Sequence, residues 1–197
     1  MKLSDLDLTK RYSYADYLSW KLEEMVELIE GFIFPMAPAP SLAHQRLSMR
    51  LTKTFVNFFD GHKCELFAAP FDVRLPHKAG NSNDLIITVV QPDLCVVCDA
   101  KKLDEQGCIG APDLIVEILS PGNTKKEMKT KMEVYEQSAV REYWLIHPKD
   151  SYILIYTLDE HGKYSASRPY VEGENAVSII FPELEVDLEK LFEGLKA

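Results

Sequence analysis

The chain has 197 residues, 46% of them hydrophobic and 27% charged, with a formal net charge of −9. That length holds one domain with a sizeable core and is short for two; the composition is that of a globular protein, and no apolar run approaches the roughly 20 residues that span a bilayer, so a membrane is not expected as a partner. The acidic balance excludes the broad basic surface of a generic nucleic-acid binder, leaving such a partner only through a local positive cleft or through bound cations.

The opening stretch, MKLSDLDLTKRYSYADYLSW, lacks the apolar core of a signal peptide, and a cytoplasmic location is expected. Residues 11 to 25 read as an amphipathic helix through Tyr14, Leu18, Leu22 and Met25. VELIEGFIFPM reads as two short strands around a tight turn at Glu30-Gly31. Residues 41 to 59 read as a helix capped by Ser41, with Leu47, Leu51, Phe55 and Phe58 as its apolar stripe. Residues 64 to 76 look like a strand broken near Pro70. The span from 84 to 99 holds two strand runs, DLIITVV and DLCVVCD, split by Gln91-Pro92. A polar loop from 100 to 110 leads to the strongly apolar strand APDLIVEILSP, closed by Pro121-Gly122.

Residues 124 to 138 give the clearest helix, opened by a Thr124/Glu127 capping box, with Met128, Met132 and Tyr135 on its buried stripe. EYWLIHP and YILIYTL are two strands joined by a Lys-Asp turn. An edge strand (YSASRPYV), the run AVSIIF and a short helix from 187 to 195 complete the chain. This order predicts one domain over residues 1–197, an α/β (α+β) sandwich with a central mixed sheet flanked by helices.

The four cysteines, Cys64, Cys95, Cys98 and Cys108, are expected as reduced thiols, since no secretory signal is present. Cys95 and Cys98 have zinc-like spacing, but three residues apart on a strand they point to opposite faces and make poor joint ligands.

The chemistry concentrates in the runs 92–99 and 112–119. Paired as an antiparallel hairpin centred near residue 106, they place Asp93 opposite Glu117 or Leu119, and Asp99 near Asp113. Strand alternation puts Asp93, Cys95, Val97 and Asp99 on one face, with Asp113, Ile115, Glu117 and Leu119 on the matching face of the second strand. Opposed residues have Cβ atoms about 4.5–5.5 Å apart, so Asp93 and Glu117 can grip one cation. Asp113 and Glu117 cannot, since four residues of strand separate them by roughly 13 Å. Two facing carboxylates inside a run such as LIVEIL cost several kcal/mol in desolvation and repulsion. A hard divalent cation, Mg²⁺ or Mn²⁺, resolves both; the alternatives are an ion pair for Glu117 or a solvated face. Lys131, three residues after Met128 and four before Tyr135, lies on the inward stripe of its helix, as a partner for Glu117 or as a group that orients water and stabilises phosphate charge. Asp113 reads as fixing a strand start, with a site role as the alternative.

Pro92-Asp93 followed by Glu117 in a second strand resembles the PD-(D/E)XK nuclease signature. GAPDLIVEILSPGNTKKEMKTKMEVYEQSAVREYWLIHP resembles more specifically the Uma-type family of restriction endonucleases, a branch of that superfamily. VELIEG with FIFPM, the His44-Gln45-Arg46 segment and QPDL match in the same order, over about residues 12 to 190. The resemblance implies a restriction-endonuclease-like fold and magnesium-dependent cleavage of nucleic acid, with DNA as the expected partner. It places the motif aspartate at Asp93 and the acidic strand residue at Glu117. The motif lysine should fall two residues later, where Leu119 stands; the resemblance is to a family in which it has moved to the next helix, at Lys131. Glu27 would be the N-terminal glutamate of such folds, with a surface carboxylate as the plain alternative. His44 matches a family histidine, with a satisfied core or helix-start histidine as the plain alternative. A homodimer is expected of a duplex cutter.

Two rivals stand beside this reading. The missing lysine at Leu119 and the acidic surface allow a non-catalytic binding or dimerisation module on the same fold. Proximity of Cys64 to His62 allows a thiol hydrolase.

Overall fold

A computed structural model describes residues 1–36, 40–76, 80–120, 122 and 125–195. Ser13 begins α1 (Tyr14–Ser19) with a reciprocal capping box to Asp16. The helix is far shorter than the predicted 11–25. It stops because Trp20 turns out of the helix into an extended conformation and packs edge-on against Tyr12, at 5.0 Å between ring centroids. Tertiary packing has overridden a helical pattern here. Next come β1 (Val26–Ile29) and β2 (Phe32–Pro35), the expected hairpin. Its two-residue turn has positive φ at both Glu30 (52°) and Gly31 (83°), the twist-matched geometry of tight hairpins.

Helix α2 (Leu42–Phe59) forms as predicted, and the Ser41 side chain accepts from the His44 amide. The stretch 64–76 splits into β3 (Glu65–Ala68) and β4 (Val73–Arg74), which lie in different sheets. Only Val89 and Val90 of the run DLIITVV form a strand, β5 (Val89–Val90), and β6 (Leu94–Val97) follows. The segment expected to be a plain polar loop contains a small hairpin, β7 (Leu103–Asp104) and β8 (Gly107–Ile109). Gly107 makes this possible: its φ is 113°, and a Cβ there would lie 2.3 Å from the Asp72 carbonyl oxygen.

Then come β9 (Leu114–Ile118), α3 (Lys125–Gln137), β10 (Glu142–His147) and β11 (Tyr152–Leu158). Thr124 of the predicted capping box, and Pro121, lie outside the described residues. The predicted single edge strand is two pieces, β12 (Tyr164–Ala166) and β13 (Tyr170–Val171), both paired to β11. The chain ends with β14 (Asn175–Val177), an unanticipated partner β15 (Glu185–Asp187), and α4 (Leu188–Phe192).

The main sheet is mixed, in the order β12-β11-β10-β9-β6-β3; β9 and β10 are parallel and joined through α3, and the other neighbours are antiparallel. A second sheet runs β2-β1-β5-β4-β8-β7. Strand alternation sorts the core. Leu94, Val96, Leu114, Val116, Trp144 and Ile146 pack one face of the main sheet against Leu47, Leu51 and Phe55 of α2 and Leu188 and Leu191 of α4. Cys95, Val97, Ile115, Tyr143 and Leu145 pack the other face against Tyr135 of α3 and Ile29, Val73 and Val90 of the second sheet. Tyr14 covers the outer side of the second sheet with Leu28, Ile86 and Val89. The expected mixed sheet flanked by helices is present, and a second sheet shares one flank with α3.

Cys95 and Cys98 do face opposite clusters. The expectation of four reduced thiols is corrected: Cys64 and Cys98 form a disulfide, and Cys95 and Cys108 are free and buried. The β3–β6 register explains the pairing. Glu65 lies opposite Val97, so the next positions outward, Cys64 and Cys98, oppose each other with Cα atoms 3.9 Å apart. A compartment argument does not see such a pairing.

Candidate active site

The site grows from strand register. Leu94 pairs with Val116 and Cys95 with Ile115, so continuing the antiparallel ladder sets Asp93 opposite Glu117, the first of the two predicted alternatives. At the other end of the pairing Asp113 reaches the backbone of Cys98, next to Asp99. The Asp99 side chain accepts from the Lys101 amide, and Asp113 accepts from the Cys98 amide at 2.9 Å and from Arg141 Nη1 at 3.0 Å. Asp113 therefore fixes the strand start, at the opposite end of β9 from Glu117.

The Asp93 carboxylate is held on both oxygens. The Ile118 amide donates to Oδ2 at 2.7 Å, and His44 Nε2 lies 3.2 Å from Oδ1. His44 comes from the first turn of α2 and is 8% exposed, so this histidine joins the acid cluster rather than the apolar core alone. Burial works against its imidazolium, but the hydrogen bond and charge of Asp93, with the charge of Glu117, win and raise its pKa.

Glu117 meets α3. Lys131 Nζ donates to Glu117 Oε1 at 3.0 Å and to Glu27 Oε1 at 2.9 Å. Glu27 is 3% exposed, not the surface carboxylate of the plain alternative. It also accepts from the Gln91 amide at 2.8 Å, which ties β1 to the strand end that carries Asp93. Burial pushes the Glu117 carboxyl up to about 7; Lys131 pulls it down, but Glu27 and Asp93 push it up. Lys131 goes the other way from a typical buried lysine. Burial disfavours its charge, yet two carboxylates within 3.0 Å hold the proton on more tightly than in water.

Two contributors escaped the sequence reading. Tyr135, read only as part of a buried stripe, donates its hydroxyl to Glu117 Oε1 at 2.6 Å. Its place four residues after Lys131, a polar tip on an inward stripe, was the available signal. Gln91 holds Glu27 through its backbone and spans Asp72 and Tyr17 with its side-chain amide; its signal was only its place two residues before Asp93. Cys64 is in the disulfide, so no thiol nucleophile exists beside His62 and the hydrolase rival is removed.

All five principal candidates, Glu27, His44, Asp93, Glu117 and Lys131, thus meet in one cluster. Among the described residues, no group of three or more His, Cys, Asp or Glu side chains is arranged to hold a metal by itself. Magnesium needs less, one or two carboxylates with waters and substrate phosphate completing the shell. The donor set fits that demand. Two opposed carboxylates share one face, and Glu27 and Asp93 add their charge to the burial that raises the Glu117 pKa, against the pull of Lys131. No helix among the described residues is long and apolar enough to cross a membrane.

The chain is similar to known proteins in sequence and in fold. An uncharacterized protein of Synechocystis sp. (strain PCC 6803) is 29% identical over 163 residues, 78% of each chain. The fold is that of a crystal structure described as "a putative nuclease belonging to DUF820" from Anabaena variabilis, with a TM-score of 0.72 and 19% identity over 93% of this chain and 99% of that one. Residues 14–189 match the family described as "Putative restriction endonuclease". The chain belongs to that family, Uma2, and carries a restriction-endonuclease-like fold.

Proposed function

We propose that this protein is a divalent-metal-dependent nuclease that hydrolyses phosphodiester bonds of nucleic acid, with DNA as the first substrate to test. The observation that carries this reading is the register-opposed pair Asp93 and Glu117, with Lys131 Nζ 3.0 Å from Glu117. Bound between Asp93 and Glu117, Mg²⁺ or Mn²⁺ would acidify a water and neutralise charge on the phosphate. The other steps belong to the chain. Glu27 and Glu117 together hold the Lys131 ammonium in place, its proton kept on by their charge, where it can orient the attacking water and meet developing phosphate charge. Tyr135 helps fix the Glu117 carboxylate by donating to the oxygen that Lys131 also holds. The Ile118 amide and His44 fix the two oxygens of Asp93. Pre-set groups of this kind need no reorganisation as charge builds up.

The position of Lys131 also weighs against the non-catalytic rival. Leu119 stands where the motif lysine is expected, but the ammonium reaches the acidic strand residue from α3 instead. The test is incubation of end-labelled single- and double-stranded DNA and RNA with Mg²⁺, Mn²⁺ or EDTA. Cleavage should require metal, and Lys131→Met should lower it roughly 100-fold or more, as loss of a positioned polar group does. Undiminished cleavage by Glu117→Gln refutes the role given to that strand.

A further inference from the structure

Beside the cluster lies a cavity of about 210 Å³ that the chemistry above does not use. Its walls are Met128 and Met132 of α3, Tyr143 and Leu145 of β10, and Tyr156 of β11. Three contacts join it to the acid pair. Leu145 is the register partner of Glu117 on the neighbouring parallel strand. The Tyr143 ring lies 5.1 Å from that of Tyr135, whose hydroxyl donates to Glu117. Met128 lies one turn before Lys131. The cavity is smaller than the roughly 300–1,000 Å³ of pockets for drug-sized ligands, which limits it to one compact ring system. Tyr143 and Tyr156 are already stacked, 5.6 Å apart and 19° from parallel, and with the two flexible thioethers they give a flat, adaptable apolar wall. At the mouth stand Lys125 and Lys129, both exposed and one turn apart; Lys129 also lies 3.6 Å from Glu133. On a chain of net charge −9 this is a local positive edge beside an apolar slot.

Resting on the nuclease reading, we propose that this cavity is a nucleobase subsite: one unstacked base of the substrate strand enters between α3 and β10, with its phosphate against Lys125 and Lys129. Aromatic and apolar walls accept any base face, whereas lysines meet the backbone as point charges. A base paired within a duplex must first leave the stack, so single-stranded or unpaired segments are favoured over intact duplex.

The test needs no turnover. Methionine methyl groups are labelled with ¹³C and observed by NMR in metal-free protein with 2′-deoxyadenosine 5′-monophosphate or 2-deoxyribose 5-phosphate as probe. The nucleotide should shift the Met128 and Met132 methyls and leave exposed Met49 on α2 unmoved, while the sugar phosphate moves none. The double variant Lys125→Gln/Lys129→Gln should weaken the nucleotide several-fold and leave binding of the nucleoside unchanged. Met128→Trp, which fills the slot, should abolish the Met132 shift. Tyr156→Leu, a milder change, should weaken binding roughly tenfold through lost stacking. No methyl shift with the nucleotide, or an equal shift with the sugar phosphate, overturns the subsite. Metal-dependent cleavage without nucleotide shifts overturns the subsite and leaves the nuclease reading intact. Shifts without cleavage of any strand keep the subsite as a nucleotide pocket and sink the nuclease reading.

Discussion

Replacing Glu117 by Gln in the metal-free protein should convert a pH-dependent stability into a flatter one. Burial, with Glu27 and Asp93 nearby, raises the Glu117 carboxyl from 4.5 to about 7. Between those values the folded protein keeps a proton that the unfolded chain has released, so stability falls as pH rises through that window and the full penalty is present above the folded value. A shift of that size corresponds to about 3 kcal/mol at 1.36 kcal/mol per unit. Glutamine has no proton to lose, and in Glu117→Gln the Lys131 ammonium still has Glu27 at 2.9 Å, so one lysine faces one carboxylate. Urea unfolding of both proteins in EDTA, from about pH 4 to about pH 8, should show the variant gaining about 3 kcal/mol on the wild type across the series. A stability difference that stays constant over that range refutes the placement of an unneutralised acid at the end of β9.

Removing the lysine should do the reverse. Lys131→Met leaves Glu27 and Glu117 buried with no cation between them, and should cost about 3–5 kcal/mol near neutral pH, measured by denaturant unfolding. Away from the site, Glu142 is fully buried and accepts from Trp144 Nε1 at 2.6 Å and from the Ile179 and Ile180 amides at 2.7 and 3.0 Å. Glu142→Leu strands all three donors and should destabilise by about 3 kcal/mol or more; a milder Glu142→Gln should unfold earlier than wild type yet leave nucleotide-induced methyl shifts unchanged. Thiol titration of unfolded, unreduced protein should find two free thiols, Cys95 and Cys108. Cys64→Ser should then lower stability by about 3–4 kcal/mol, from the entropy of a loop closed across 34 residues.

What the sequence revealed follows from the range of the forces involved. The Asp93–Glu117 opposition was readable because strand alternation and an antiparallel return over a short span fix it, even though that return carries the β7–β8 hairpin, and because an acid in LIVEIL stands out against its neighbours. Lys131 was readable from helical spacing to Met128 and Tyr135. Glu27 and His44 rested on resemblance alone, since β1 and α2 reach the cluster through tertiary packing that no local pattern encodes. The same reason hid the Gln91 amide, the Tyr135 hydroxyl and the Cys64–Cys98 pairing, each a contact between elements distant in sequence. Among the strands, β7, β8 and β15 were missed because each is two or three residues long and held by its neighbours rather than by its own hydrophobic pattern. The overlong α1 came from the opposite error, a helical pattern that the aromatic packing of Trp20 cuts short.

On the proposed function, the two opposed acids Asp93 and Glu117 form a seat for a doubly charged ion. Calorimetric titration of Mn²⁺ into wild type, Asp93→Asn and Glu117→Gln addresses it without any substrate. One saturable site in the wild type, weakened at least roughly tenfold in each variant as loss of a metal-site group entails, is the predicted result. Unchanged Mn²⁺ affinity in both variants would place the ion elsewhere and rule out the Asp93–Glu117 seat.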